Sequence, residues 1–225
     1  MKSIQHIYIV FLLAVVTLSG CELDNFEPPS STLTGQIVYN DAPLGLRSDG
    51  VQLELWQYGY DDFEKIPVFV AQDGSFSAEL FDGDYKLVLL RGNGPWLERE
   101  DSIDVNLNGS AEIDVAVNPY YIIGDENISG SGNMVNATFS VEGVNPVLGV
   151  EYVSLYIGES MIVDEVRKEG EMILPGAEVE VGTPLNLSAE IPASISGKGY
   201  VFARVGVKTA GVEEMLYSQV QKIEL

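Results

Sequence analysis

The feature of this sequence that most constrains its fold is a strict alternation of apolar and polar side chains in short runs. Along residues 51–57, Val51, Leu53, Leu55 and Gln57 lie on one face of an extended chain. A period of two is typical of a β-strand that is buried on one side. No stretch of helix length carries apolar residues at the 3.6-residue period of an amphipathic helix. The sequence therefore predicts an all-β protein.

A first block of predicted strands ends near residue 118. Its Asp-Gly pairs at 73–74 and 82–83 and its Asn-Gly pair at 108–109 tolerate the positive φ of tight turns, so we expect a hairpin at each. The predicted strands span 32–39, 51–57, 65–71, 75–80, 85–90, 103–107 and 113–117.

A second block of predicted strands follows a turn-like segment at 124–127. Residues 160–168 fit either a strand or a short helix, and we expect a closing hairpin over Gly211. The other predicted strands span 134–142, 150–157, 179–181, 185–191, 200–208 and 215–225. This spacing indicates two tandem β-sandwich domains, over 32–118 and 119–225, each of a normal size for one core.

The first twenty residues have the pattern of a bacterial lipoprotein signal peptide. Lys2 precedes a short apolar run, and small residues stand directly before Cys21. We expect cleavage before Cys21, lipid attachment to its sulfur, and a polar tether over 21–31. An ordinary signal peptide with a chance Cys is the alternative. The prediction is a lipid anchor in the outer membrane, with the domains at the cell surface.

The charge and the scarcity of His exclude several functions. Acidic residues number 34 and Lys and Arg together 12, so the formal net charge of −22 argues against nucleic acid as a partner. His6 is the single His, and the predicted cleavage would remove it. The mature chain could then carry neither Ser-His-Asp catalysis nor a typical zinc site. The acidic clusters at 61–62, 98–101 and 125–126 could supply oxygen ligands to calcium, which is the alternative. They fit no calcium-binding motif, so we predict no metal and no cofactor.

Two segments could present aromatic side chains to a sugar. They are the Gly/Pro-containing loop 91–96, which we expect to be exposed, and the connection 58–63. Aromatic rings bind the C–H face of a pyranose, while amides and carboxylates bind its hydroxyls. The candidate ligand-binding residues are Trp96, Asn93, Tyr60, Tyr58 and Asp61.

The alternative for these segments is structural. In that interpretation Trp96 plugs the edge of a sandwich, and the tyrosines cover the end of a strand. Trp56 is assigned mainly to packing, on the strand face opposite Leu53 and Leu55. Tyr120 and Tyr121 are expected to pack at the junction between the domains rather than to bind sugar.

Several segments together resemble a known family. They are LTGQIVY (33–39), PLG (43–45), VQLELW (51–56), QDGSF (72–76), LFDGDYKL (80–87), GNGPW (92–96) and NPYY (118–121). They resemble a Bacteroidota lipoprotein family defined only as a domain of unknown function, over most of the mature chain. The resemblance implies a transthyretin-like or carboxypeptidase-regulatory-like first domain and an Ig- or fibronectin-III-like second domain. It supplies no catalytic residues.

Members of that family are often encoded beside SusC/SusD-like outer-membrane glycan importers. The resemblance therefore implies a non-enzymatic accessory to glycan capture or import, with such an importer and a polysaccharide as partners. The alternative is a structural spacer or adhesion module that binds proteins and no glycan. A third hypothesis, an unrecognised hydrolase, would require a pocket with converging carboxylates.

Overall fold

The computed structural model describes residues 27–59 and 64–225, and β-strands dominate them. The first domain is built of strands whose apolar side chains alternate toward a shared interior. They are β1 Ser31–Tyr39, β2 Ala42–Pro43, β3 Gln52–Gln57, β4 Lys65–Phe69, β5 Ser75–Leu80, β6 Gly83–Leu89, β7 Ile103–Leu107, β8 Ser110–Glu112 and β9 Val115–Ala116.

These strands form two sheets around one core. In the first sheet β1 is central, with β2 and β5 antiparallel to it and β8 and β9 parallel to it. The second sheet has the order β4-β3-β6-β7 and is antiparallel throughout. Leu33 and Ile37 of the first sheet and Leu53 and Leu55 of the second are fully buried, so the two inner faces share the interior of a sandwich.

The hairpins predicted at 82–83 and 108–109 are wrong, because the chain changes sheets at both turns. β6 pairs with β3 and β7 rather than with β5. β8 pairs in parallel with β1 rather than with β7. Asp82 links the first crossover to the second and to the start of β1. Its Oδ1 accepts one hydrogen bond from the Gly109 amide, at 2.8 Å, and one from the Ser31 hydroxyl.

The turn at 73–74 forms only the beginning of a hairpin. A single bridge joins Val70 to Phe76 before β4 and β5 separate into different sheets. The Asp73 carboxylate closes the turn by accepting hydrogen bonds from the amide and the hydroxyl of Ser75, at 3.0 and 2.6 Å.

The second domain is a further sandwich. One of its sheets has the order β10-β11-β14, and the other has β13-β12-β15 with β16 and β17 both paired to β15. Its strands are β10 Tyr121–Ser131, β11 Met134–Gly143, β12 Val150–Gly158, β13 Gly170–Pro175, β14 Pro184–Glu190, β15 Tyr200–Thr209, β16 Leu216–Tyr217 and β17 Gln221–Glu224. The prediction of an all-β chain with two tandem β-sandwich domains is confirmed.

Three local predictions in the second domain are corrected. The segment 124–127 is a bulge inside β10, where Asp125 has a φ of 51°, and not a turn between strands. Residues 160–168 form neither a strand nor a helix. The strand expected at 179–181 is absent from that described segment, which follows a short 3-10 helix at Gly176–Glu178.

A loop of the first domain, residues 44–50, docks against the second domain. The backbone amide of Tyr217 donates a hydrogen bond of 2.9 Å to the carbonyl of Gly45. Arg47 forms a bidentate ion pair with Glu214. Its Nε donates a hydrogen bond of 2.9 Å to Oε2, and its Nη2 donates one to Oε1. The Glu214 side chain is only 2% exposed and the Arg47 side chain 26%, so the junction contains a charge pair whose acidic member is buried.

Arg204 is a fully buried cation at this junction. Its guanidinium carbon lies 3.9 Å from the centre of the Tyr217 ring, and its Nη2 donates to the carbonyl of Leu46 at 2.7 Å. Burial lowers the pKa of Arg204 to about 10, while the neighbouring Tyr217 and Asp164 oppose that shift. The guanidinium therefore stays charged at neutral pH.

Candidate functional site

Trp96 is a packing residue and not an exposed ring. Its side chain is 5% exposed, and its backbone forms a β-bridge with Pro119 at the start of the second domain. The indole lies directly on Gly94, where a Cβ atom would come within 2.1 Å of the ring. The expectation of an exposed loop at this position is corrected, because the missing side chain of Gly94 lets the ring fold back into the core.

Asn93 is bound to the backbone of β3 and its approach. Its Oδ1 accepts a hydrogen bond of 2.6 Å from the Gln52 amide, and its Nδ2 donates one of 3.0 Å to the carbonyl of Gly50. Both ends of the amide thus hold the loop against the sheet. For Asn93 and Trp96 the structure supports the packing interpretation.

The second predicted segment is only partly described. Tyr60 and Asp61, like the predicted lipid attachment residue Cys21, lie outside the described residues. Tyr58 directly follows β3 and is 67% exposed. It is therefore the one predicted ligand-binding residue that the described structure places at the surface.

The surface around Tyr58 is the outer side of the second sheet of the first domain. We call it the Trp56 face, and it consists of the even-numbered residues of β3, β6 and β7 and the odd-numbered residues of β4. The strand alternation explains it, since Leu53, Leu55 and Leu87 point into the core and their neighbours point outward. Cross-strand pairing sets Lys65, Trp56, Lys86 and Asp104 side by side across the sheet.

Glu54 organises the middle of the Trp56 face. Its Oε2 accepts a hydrogen bond of 3.2 Å from the Trp56 indole nitrogen, and its Oε1 accepts one of 2.5 Å from the Lys65 ammonium. The carboxylate is largely covered, with 8% of Glu54 exposed. An aromatic ring and a cation are thereby fixed on either side of a single buried acceptor.

Tyr58 lines a groove of about 540 Å³ at one end of the Trp56 face. We call it the Tyr58 groove, and Asp84, Lys86, Asp104 and Asn106 also line it. Asn106 donates a hydrogen bond of 2.6 Å to Asp84, and the Lys86 ammonium donates one to Asp104. The hydrogen bond to Asp104 raises the pKa of Lys86, and the charge of Asp104 and the nearby Tyr58 add to that shift.

The chemistry of the Tyr58 groove suits a ligand rich in hydroxyl groups. The phenol ring offers a flat apolar surface, and the two carboxylates, the amide and the ammonium offer acceptors and donors beside it. In residues 27–59 and 64–225, no group of three or more His, Cys, Asp or Glu side chains is arranged to hold a metal ion. No helix in this part of the chain is long and apolar enough to cross a membrane.

The sequence candidates did not include the polar residues of the groove. A signal for them exists, because residues 84 and 86 alternate with the apolar Tyr85 and Leu87 and so face outward. The sequence does not show that β6 lies between β3 and β7. Without that order, Tyr58 cannot be connected with Asp104 and Asn106.

Comparison with solved structures shows proteins that share the fold of this chain. A DUF3823 family protein of Bacteroides ovatus is 37% identical, with 87% of this chain and 99% of that chain covered and a TM-score of 0.81. A DUF3823 family protein of Parabacteroides merdae is 36% identical, with 88% and 100% covered and a TM-score of 0.81. The matched part makes up nearly all of these two crystallised chains, so in those relatives it folds without a further domain.

A more distant structure from Bacteroides uniformis shares the fold. It is 18% identical, with 88% of this chain and 100% of that chain covered and a TM-score of 0.72, and its name proposes that it binds carbohydrate. The search of curated proteins gives no match. Two family models match the chain, the N-terminal domain of the DUF3823 proteins of unknown function over residues 31–118 and the DUF3823_C domain of unknown function over 121–222. The chain therefore belongs to the DUF3823 family.

Proposed function

We propose that this protein is a non-enzymatic lipoprotein of the cell envelope that assists glycan capture at the outer membrane, beside a SusC/SusD-like importer. The observation that carries the proposal is the Tyr58 groove, where an exposed tyrosine ring stands next to paired polar side chains. Surface modules that bind sugars need this combination, because a pyranose has one apolar face and a rim of hydroxyls.

The charge distribution favours a neutral glycan. The formal net charge of −22 would repel a polyanionic polysaccharide. The two cations of the Trp56 face are already paired, Lys65 with Glu54 and Lys86 with Asp104. A neutral sugar can exchange hydrogen bonds with such pairs without having to separate them.

Two further observations support the proposal. The Bacteroides uniformis neighbour whose name proposes carbohydrate binding has the same fold, which is a fold-level analogy. The predicted mature chain lacks His, and the Tyr58 groove lies on an open sheet surface and not in a closed cleft, so binding without catalysis is the simpler role.

Affinity electrophoresis tests the binding. The chain from residue 22 is run through gels that contain amylopectin, xylan, galactomannan or, as an anionic comparison, polygalacturonate. We expect at least one neutral polysaccharide to retard the protein and Tyr58→Ala to abolish the retardation. Phe81→Ala is the matched control, since Phe81 is 51% exposed and lies outside the groove. No retardation by any polysaccharide would refute the proposal.

The anchor has a separate test. Mass spectrometry of the N-terminal peptide from membrane-extracted protein should find a diacylglyceryl thioether on Cys21, and Cys21→Ser should release the protein from the membrane. An unmodified Cys21 in cytosolic protein would refute the localisation and leave the sugar-binding test intact.

The junction between the domains favours a second candidate function, a structural spacer. The Arg47–Glu214 pair and the bridge between Gly45 and Tyr217 hold the domains together, as a spacer requires. Under this alternative no polysaccharide would retard the wild type or Tyr58→Ala in the gels. The protein would instead be recovered with a protein partner.

A further inference from the structure

A cleft of about 180 Å³ lies at the junction of the two domains, and residues of both domains line it. The first domain supplies the end of β1, the strand β2 and the start of the loop 44–50. The second supplies the start of β10, the strand β16 and the two residues that follow it. We call it the junction cleft. Boundaries between domains are preferred places for small-ligand sites.

The junction cleft exists because the domains are docked. Gly45 and Tyr217, which join the domains through a β-bridge, both line it. A Cβ atom on Gly45 would come within 2.3 Å of the Tyr217 carbonyl oxygen, so the absence of a side chain lets the two backbones approach this closely. A ligand that fills the cleft therefore contacts both domains.

The bulge in β10 explains why an acidic residue lines the junction cleft. β10 has two residues, Asp125 and Glu126, where β11 has only Phe139. Phe139 points into the core, and a single residue opposite it in a regular strand would do the same. The bulge leaves both acidic residues exposed, and Glu126 becomes part of the cleft wall.

Three polar side chains of the junction cleft are available to a ligand. In the described part of the chain, no hydrogen bond or ion pair engages the hydroxyl of Tyr39, the carboxylate of Glu126 or the amide of Gln219. The Tyr58 groove differs in this respect, because its Lys86 and Asp104 are paired with each other. A ligand in the cleft can thus bond to all three groups without breaking a contact within the protein.

A single sugar ring matches the chemistry of the junction cleft. The apolar lining consists mainly of Pro43, Leu44, Ile122, Ile123 and Leu216. It suits the C–H side of a sugar ring, while the hydroxyls of the ring donate and accept hydrogen bonds. The Glu126 carboxylate only accepts, so it favours a ligand with donors and repels an anion. The volume is below the roughly 300–1,000 Å³ of sites for larger molecules, which limits the ligand to about one ring.

The junction cleft and the Tyr58 groove lie at opposite ends of the first domain. Tyr39 ends β1 at the cleft, whereas Ser31 begins β1 and is bonded to Asp82, directly before β6. Tyr58 lies at that second end, since β3 ends beside the start of β6. β1 has nine residues and spans about 26 Å, so one sugar ring cannot reach both sites.

We propose that the junction cleft binds a single sugar ring in contact with both domains. Glu126 accepts hydrogen bonds from the hydroxyls of the ring, Gln219 donates and accepts them, and the Tyr39 hydroxyl bonds from the side of the first domain. The inference goes beyond the proposed function, because a ring in the cleft touches neither Tyr58 nor the residues around it. Since the ring binds only where the cleft is formed, it also stabilises the docked arrangement of the domains.

Calorimetric titration with monosaccharides tests the site. The probes are glucose, galactose, mannose, xylose and N-acetylglucosamine, titrated into the chain from residue 22. We expect at least one of them to bind at one site per chain. Glu126→Ala should weaken that binding about tenfold or more, and Gln219→Ala by roughly two- to tenfold, because a hydrogen bond to a charged group contributes more than one between neutral groups.

Glu142→Ala is the matched control. Glu142 is an exposed acidic residue of the adjacent strand β11 and does not line the cleft, so this variant should bind like the wild type. The monosaccharide that binds should also raise the thermal unfolding midpoint of Glu142→Ala more than that of Glu126→Ala. Unfolding without sugar confirms that each variant is folded.

The outcomes separate this proposal from the proposed function. If no monosaccharide binds, or if Glu126→Ala binds as well as Glu142→Ala, the cleft site is refuted and the gels with Tyr58→Ala still decide the proposed function. If Tyr58→Ala abolishes the binding, the ring occupies the Tyr58 groove and the cleft site is likewise refuted. If only the cleft variants weaken the binding, the cleft site stands even where no polysaccharide retards the protein.

Discussion

The Arg47–Glu214 pair should show a marked asymmetry between its two single deletions. In Arg47→Ala the surviving partner is a carboxylate whose side chain is 2% exposed, whereas in Glu214→Ala it is a guanidinium that is 26% exposed. A buried charge that loses its partner costs about 3–5 kcal/mol. The Arg47 side chain can turn to water instead, so Glu214→Ala should cost only about 1–2 kcal/mol.

Urea unfolding measures this asymmetry of about 2 kcal/mol. For a slope of about 2 kcal/mol per molar urea, the midpoint of Arg47→Ala should lie about 1 M below that of Glu214→Ala. Tryptophan fluorescence follows the first domain and its contact with the second, because Trp56 and Trp96 both belong to the first domain and Trp96 is bridged to Pro119. Circular dichroism follows both domains. Equal midpoints, or a lower one for Glu214→Ala, would refute the reasoning from the exposure of the surviving charge.

Three further predictions concern packing and pH. Trp96→Ala should lower stability by about 3–5 kcal/mol because the ring is buried, and should leave retardation by glycans unchanged, as calorimetry and affinity gels can show. Arg204→Met should cost about 1–3 kcal/mol, because it leaves the buried carbonyl of Leu46 without its donor. Arg204→Ala should cost about 2 kcal/mol more, because it also leaves a cavity; equal losses in urea unfolding would contradict this. The Ser75 hydroxyl lowers the pKa of Asp73 below its unfolded value of about 3.9, so this stabilisation is present above that pH and is lost as the pH falls through the folded pKa. Asp73→Asn should therefore show a smaller loss of stability on acidification below about pH 4, measured by urea unfolding at a series of pH values.

Local sequence pattern predicted individual strands well and their partners poorly. The alternation along residues 51–57 identified β3 and placed Trp56 opposite Leu53 and Leu55. The Asn-Gly pair at 108–109 correctly indicated a turn, but its chemistry cannot distinguish a hairpin from a crossover between sheets. β8 joins β1, about eighty residues earlier in the chain, and that pairing depends on long-range packing.

The candidate site was only partly predictable for a related reason. The Gly- and Pro-containing segment 91–96 predicts an exposed loop. In the structure the absence of a side chain at Gly94 leaves room for the Trp96 ring to turn into the core. The groove residues Asp84 and Asn106 are ordinary surface residues in sequence and become neighbours only through the pairing of β6 with β7. Tyr58 could be proposed in advance because an aromatic residue after a strand end is visible locally.

The order of strands also explains why the Trp56 face of the first domain is not covered by the other sheet. The crossovers at 82–83 and 108–109 send β5 and β8 to the other sheet, so that sheet covers only the inner side of β3 and β6. The second domain docks on the loop 44–50, away from the outward-facing residues of β3, β6 and β7. The Tyr58 groove is therefore formed by the sheet of the first domain and not by the contact between the domains.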